Sequence, residues 1–319
     1  MTKSIMLGRS AWGIFWMARY LERAENTARL LDAGFRMALT RGDAHVRDEW
    51  KSVMIALGFD EPFAEKGGEF TGAAVSNYIL RDTENPNSVL AMIDYARTNA
   101  RSVRTAITRE VWEATNETWM ILREALARPA RESNLGELLD PIRRQTTLVR
   151  GAMEGTMLRN DIFSFARIGT HIERADNTAR IIDVKYNILL PGTDWVGSRL
   201  DISQWEMVLR AVGGERAFRW LNAGALDPKG IAEFMILDGR FPRSLAYSYS
   251  HVTSNMAWLA ADYGQKLSAH GLLHAANARM AETTIADIFD QGLHEYITEF
   301  IETNQAIAEA IAADYRFIA

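Results

Sequence analysis

Apolar residues recur every three or four positions along almost the whole chain, and no segment shows clean alternation of apolar and polar residues. The period is that of the α-helix rather than the strand. It predicts an all-α protein with helices over 9–40, 43–58, 70–82, 86–127 and 134–159, then 161–190, 203–213, 214–224, 229–238, 242–269 and 272–316. With only 7 prolines in 319 residues, long helices are permitted. Several boundary signals support these elements. Asn85-Pro86 and Asp140-Pro141 each offer a capping side chain followed by proline at the first helical position. Ser203 with Glu206 reads as a capping box. Pro191-Gly192 ends one helix, and Gly67-Gly68 and Gly213-Gly214 mark turns.

One charged helical segment occurs twice. Residues 19–32 read RYLERAENTARLLD and residues 170–183 read THIERADNTARIID, identical at eight of fourteen positions. The identities are Glu22/Glu173, Arg23/Arg174, Ala24/Ala175, Asn26/Asn177, Thr27/Thr178, Ala28/Ala179, Arg29/Arg180 and Asp32/Asp183. Weaker matches follow in the same order. Trp50 falls on Trp205, Pro86 on Pro242 and Ser88 on Ser244, and the apolar pattern of 135–155 falls on 291–311. The expected organisation is two pseudo-symmetric helical halves, 1–159 and 160–319, packed as one bundle or array around a continuous core.

On a helical projection of the first copy, Met17, Tyr20, Leu21, Ala24, Ala28 and Leu31 share one face, whose alanines allow another helix to approach closely. Glu22, Asn26 and Arg29 form a polar stripe opposite, with Arg23 and Thr27 at one edge and Asp32 at the other. Glu173, Asn177 and Arg180, with Arg174, Thr178 and Asp183, repeat it. Three readings stand. The stripe is a solvated face carrying i, i+4 pairs such as Glu25–Arg29 and Asp176–Arg180. Or it is a buried network in which Glu of one copy pairs Arg of the other across a pseudo-twofold axis, at a desolvation cost. Or it lines a polar cleft for a peptide or another charged metabolite. The solvated reading gives no reason for Glu, Arg, Asn and Asp all to recur.

Composition narrows the chemistry. A net charge of −5 without a basic run argues against nonspecific nucleic-acid binding. The absence of cysteine removes disulfides, thiolate nucleophiles and Cys-ligated metals, and suits a reducing cytoplasm. AWGIFWMA at 11–18 is apolar but lacks a cleavage site and runs into the charged helix, so a signal peptide is not expected. No apolar run reaches transmembrane length. A helical-bundle di-iron site needs Glu-x-x-His, which does not occur, and Asp43/His45, His251, His270/His274 and His294/Glu295 do not make a metal site. No phosphate-binding glycine loop, no G-x-S-x-G elbow and no nucleophile–base set is recognisable, so no cofactor or metal is expected. Glu22 and Glu173 would offer acid–base chemistry only if their helices touch. Tryptophans such as Trp12, Trp16, Trp112, Trp119, Trp195, Trp220 and Trp258 fall at helical spacing and read as core.

The opening MLGRSAWGIFWMARYLERAENTARLLD, together with the second ERADNTARIIDV, resembles the bacterial Alpha-E family, an all-helical domain named for its Glu-Arg motif. The resemblance spans essentially the whole chain. One departure is His171, where the first copy has Tyr20. Alpha-E proteins are similar in context as well: they stand beside, or fused to, a circularly permuted ATP-grasp protein, often with a transglutaminase-like peptidase and a proteasome-like peptidase. The resemblance implies an accessory or scaffold role in a peptide-synthesis or peptide-modification system, binding the ligase and its peptide. The candidate surface is Glu22, Arg23, Asn26, Arg29 and Asp32 with Glu173, Arg174, Asn177, Arg180 and Asp183. Two alternatives remain: an enzyme acting on an amide-containing substrate in the same cleft, and a purely structural motif.

Overall fold

The computed structural model describes residues 8–41, 46–187, 198–222 and 226–317. Among these residues the structure is helical throughout, with no strand. The helices run in chain order as α1 (Gly8–Arg41), α2 (Val46–Leu57), α3 (Asp60–Glu65), α4 (Gly72–Arg81), α5 (Val89–Ser102), α6 (Arg109–Ala125) and α7 (Leu135–Thr156). They continue as α8 (Asp161–Asn187), α9 (Arg199–Ala211), α10 (Glu215–Leu221), α11 (Pro228–Ile236), α12 (Leu245–Tyr263), α13 (Ser268–Glu282), α14 (Ile285–Gln291) and α15 (Leu293–Asp314).

The two helices that carry the repeated segment, α1 and α8, form the most extensive helix pair among the described residues. Small residues explain how close they come. Ala24, Ala28, Ala175 and Ala179 are all buried, and a Cβ on Gly169 would lie 2.4 Å from the Phe15 carbonyl oxygen. Side chains of ordinary size there would hold the backbones apart. Around this pair, α5, α7 and α2 pack on α1, and α12, α15 and α9 pack on α8; α1 also meets α9, and α2 meets α8. One hydrophobic cluster runs through these contacts, including Trp50, Phe165, Phe218 and Tyr249. The weaker sequence matches share local features. Trp50 on α2 and Trp205 on α9 are both buried, while Ser88 and Ser244 cap α5 and α12 through the Ala91 and Tyr247 amides.

Several boundaries differ from those read off the sequence. The span 86–127 is two helices, because Thr108 accepts from the Val111 amide and starts α6 afresh. Val103, Ile107 and Val111 are all buried at four-residue spacing, so apolar periodicity runs straight through the break. The span 242–269 ends early at Gly264, whose φ of 71° suits glycine. The span 272–316 is divided by a Thr284–Asp287 capping box and by Gly292 at φ 105°. Short α3 was not foreseen. Pro141 lies inside α7, which begins after a 3₁₀ turn at Glu132–Asn134. The bond it forfeits is to the carbonyl of Glu137, a solvent-exposed residue, so water can replace it. Pro86 precedes the Ser88 cap rather than opening the helix. Ser203 and Glu206 lie within α9, which Ser198 caps. Pro191-Gly192, Asp43/His45 and Trp195 lie outside the described residues. Of the described tryptophans, Trp50 and Trp205 are buried, Trp16, Trp112, Trp119 and Trp258 are partly buried against the core, and Trp220 is 85% exposed.

Candidate functional site

The segments 19–32 and 170–183 face each other at the α1–α8 contact, and their charged groups pair reciprocally. Arg174 donates from Nε to Glu22 Oε1 at 2.8 Å and from Nη2 to Oε2 at 2.9 Å. In the converse pair Arg23 donates to both oxygens of Glu173, its Nη2 at 2.9 Å. Arg19 adds a bond from Nε to Glu173 Oε2 at 2.8 Å, with its guanidinium over the Trp16 ring at 4.5 Å. Both pairs have the two-pronged geometry that matches a planar guanidinium to a carboxylate. Glu22 and Glu173 are each 2% exposed.

The surroundings of the two glutamates are not alike. Glu22 also meets Arg150 of α7 at 3.4 Å and Arg243, just before α12, at 3.3 Å. The neighbouring Glu25, fully buried, accepts from Arg29 at 2.9 Å, from Arg243 at 2.5 Å and from Arg150. Thr146 adds a bond at 3.3 Å. Arg243 donates to Asn26 Oδ1 at 2.8 Å, which leaves the buried Asn26 Nδ2 without a partner. In the second copy the equivalent of Glu25 is Asp176, one methylene shorter, and it pairs with Arg180 of its own helix at 2.8 Å.

Protonation follows from these contacts. Burial alone would raise each glutamate, since removal from water disfavours the charged form. For Glu22, Arg174, Arg150 and Arg243 outweigh burial and hold the carboxyl well below its ordinary range. For Glu173, Arg23 and Arg19 outweigh it and bring the carboxyl down to about 2. Glu25 is lowered too, with Arg243 and Arg150 overcoming burial and the like charge of Glu22. Burial draws the Arg243 guanidinium down to about 10 against the pull of Glu22 and Glu25, so it stays charged at neutral pH. These are locked ion pairs. A general acid would need the opposite displacement.

The polar stripe expected along one helix face is therefore divided. Glu22, Asn26, Glu173, Arg174 and Asn177 are buried between helices, so the solvated-face reading does not hold for them. Arg23, Arg29, Asp32, Arg180 and Asp183 are half-buried at the margin. Asp32 meets Arg143 of α7 at 3.1 Å and Arg36 at 3.3 Å, and Asp183 meets His294 of α15 at 2.5 Å. His171 is fully buried, stacked on His251 at 4.6 Å, with both ring nitrogens unpartnered. Burial, then Arg174 and Arg167, keep it neutral. His251 is instead within 3.3 Å of Arg167.

Sequence reasoning missed Glu25 as a site residue and missed Arg150 and Arg243 altogether. A signal existed. At the repeat spacing of the later blocks, Arg243 falls on Asn87, and Arg150 falls on Ala306. Both arginines stand where the copies differ, as does Glu25 against Asp176. Among the described residues no group of three or more His, Asp or Glu is arranged to hold a metal ion, and no helix is long and apolar enough to cross a membrane.

An all-helical protein centred on a doubled Glu-Arg pair is the class that this fold and site define. Residues 6–315 match the Alpha-E family, described as a predicted alpha-helical domain with a conserved ER motif, and the chain belongs to that family. No curated protein and no solved structure matches it.

Proposed function

We propose that this chain is a non-catalytic accessory subunit of a cytoplasmic peptide-synthesis or peptide-modification system. In this reading it stands beside a circularly permuted ATP-grasp amide ligase, and transglutaminase-like and proteasome-like peptidases belong to the same system. Its doubled Glu-Arg motif is an internal clamp that fixes two pseudo-twofold-related halves, 1–159 and 160–319, in one register. The rigid body so formed presents its outer helices to the ligase and the peptide.

The observation that carries the clamp is the reciprocity of Glu22–Arg174 and Glu173–Arg23, with both glutamates buried. Each motif arginine occupies the other copy's glutamate. Neither carboxylate is left free to work on a substrate, which favours the accessory reading over the enzyme. The test is co-purification of the tagged chain from its native host, with mass spectrometry of what accompanies it. An ATP-grasp protein or a peptide in fixed ratio supports the accessory role. Recovery of folded chain alone, under crosslinking as well as without it, refutes that role. The clamp is tested separately by unfolding Glu173→Gln.

A further inference from the structure

The ion-pair network around Glu22 and Glu25 does not balance. Four arginines, Arg29, Arg150, Arg174 and Arg243, are paired to these two carboxylates and, among the described residues, to no other acidic group. Four positive charges against two negative leave an excess of two. The whole chain carries −5, so this excess is local. It is placed where water screens it poorly: Glu22, Glu25, Arg174 and Arg243 are buried. The amide Asn26 Nδ2, also buried, is a further donor without an acceptor.

Two of the four arginines reach the surface. Arg29 and Arg150 are each about a quarter exposed. Arg29 lines an open cleft of about 560 Å³ between α1 and α7, together with Arg143, Arg144, Thr147 and Leu148. Arg143 and Arg144 are held only by partly exposed carboxylates, Asp32 at 3.1 Å and Asp140 at 3.5 Å. Surface pairs of this kind are weak and re-aim readily. At the repeat spacing, Arg143, Arg144 and Arg150 of α7 fall on Glu299, Phe300 and Ala306 of α15. The arginine-lined cleft is thus a property of one copy.

We propose that the α1–α7 cleft binds a small oxyanion, a carboxylate or a phosphate, held by Arg29, Arg143 and Arg144. The bound charge offsets the surplus of the network behind Arg29. Guanidinium forks suit both anions. The site does not depend on the accessory role proposed above, because it follows from the charge count and the cleft alone.

Isothermal titration of the full chain at fixed ionic strength tests it, with sodium phosphate in one arm and acetyl-Ala-Ala bearing a free C-terminus in the other. The expected result is saturable one-site binding of at least one probe. Arg144→Gln and Arg143→Gln should each weaken it about tenfold or more, the scale of a lost charge-assisted hydrogen bond. Arg109→Gln, an exposed change near the far end of α7, should leave it unaltered. Saturation by phosphate alone assigns the site to a phosphoryl group; saturation by the dipeptide alone assigns it to a peptide carboxylate. Absence of saturable binding by both probes, or equal weakening by all three substitutions, overturns the proposal. Circular dichroism of the variants shows whether each is folded, and Arg144, 79% exposed, can be changed without disturbing the core.

Discussion

Replacing Glu173 by Gln keeps the volume and removes the charge that two arginines share. The magnitude can be worked in two ways. A carboxyl brought from its ordinary 4.5 down to about 2 by its folded surroundings gains about 3 kcal/mol of folding stability in its ionised form, at about 1.4 kcal/mol per tenfold change in proton affinity. Removing one partner of a buried ion pair costs about 3–5 kcal/mol, because the other partner is left uncompensated. Here Arg23 and Arg19 would be left facing an amide, and their partial exposure puts the cost at the lower end. The expected loss is therefore about 3 kcal/mol. Urea unfolding at pH 7, followed by tryptophan fluorescence and far-UV circular dichroism together, measures it. The same measurement across pH adds a sign check. The folded-state carboxyl is depressed, so its contribution is complete above 4.5 and is lost as pH falls from 4.5 towards 2. Wild type should weaken across that window more steeply than the variant. A loss below about 1 kcal/mol with coincident transitions, or equal acid slopes, would refute the clamp.

Other substitutions probe neighbouring parts of the argument. Arg243→Met removes one of the two surplus cations while Glu22 and Glu25 keep other arginines, so the cost should be no more than about 1–3 kcal/mol, the scale of leaving the buried Asn26 Oδ1 without its donor; a larger loss in urea unfolding would mean the charge count is not what matters. Gly169→Ala adds a favourable helix former, worth about 1 kcal/mol, yet the new Cβ meets the Phe15 carbonyl at 2.4 Å. Overpacking should win and lower stability by about 1–3 kcal/mol, and a rise in Tm would sink the close-approach argument. His171 is held neutral against its ordinary 6.5 by burial, Arg174, Arg167 and His251, with Glu22 opposing. The unfolded chain therefore takes up a proton below 6.5 that the folded chain refuses, and stability falls as pH drops from 7 to 5. His171→Phe should make that slope shallower, and parallel slopes would contradict the assignment. Trp220→Ala, at an exposed position, should change stability by less than about 0.5 kcal/mol.

How much of this was legible beforehand depends on the range of each interaction. Helical content came from apolar periodicity, a local property, and the central helices were found nearly to their ends. The break within 86–127 was missed because Val103, Ile107 and Val111 keep the period across the gap, which the Thr108 cap marks; within 272–316 the marks are the Thr284 cap and Gly292. The reciprocal Glu–Arg pairing was open to inference from the duplication, since a repeated charge pattern has a ready partner in its own other copy. Burial of the pattern was not. The helical projection put Glu22, Asn26 and Arg29 opposite the apolar face, where a surface helix meets water. In α1 that side is covered too, by α7 and by Arg243, and nothing within the segment records what packs beyond it.

The two copies of the motif agree in one part of the site and differ in another. Glu22–Arg174 and Glu173–Arg23 are alike in residue and geometry, and both glutamates are buried, while Arg23 is more exposed than Arg174; in the proposed clamp, losing either arginine leaves a buried carboxylate to its own desolvation cost. Glu25 and Asp176 share the pair with the arginine four residues on, but the contacts of Glu25 with Arg150 and Arg243 have no counterpart among the described contacts of Asp176. Where the first copy gathers three arginines on Glu25, the second has Asp176 answering to Arg180 alone. A clamp gains nothing from extra buried cations, whose mutual repulsion and desolvation both oppose folding. Their presence on one side only is what the anion proposed for the cleft at Arg29, Arg143 and Arg144 would account for.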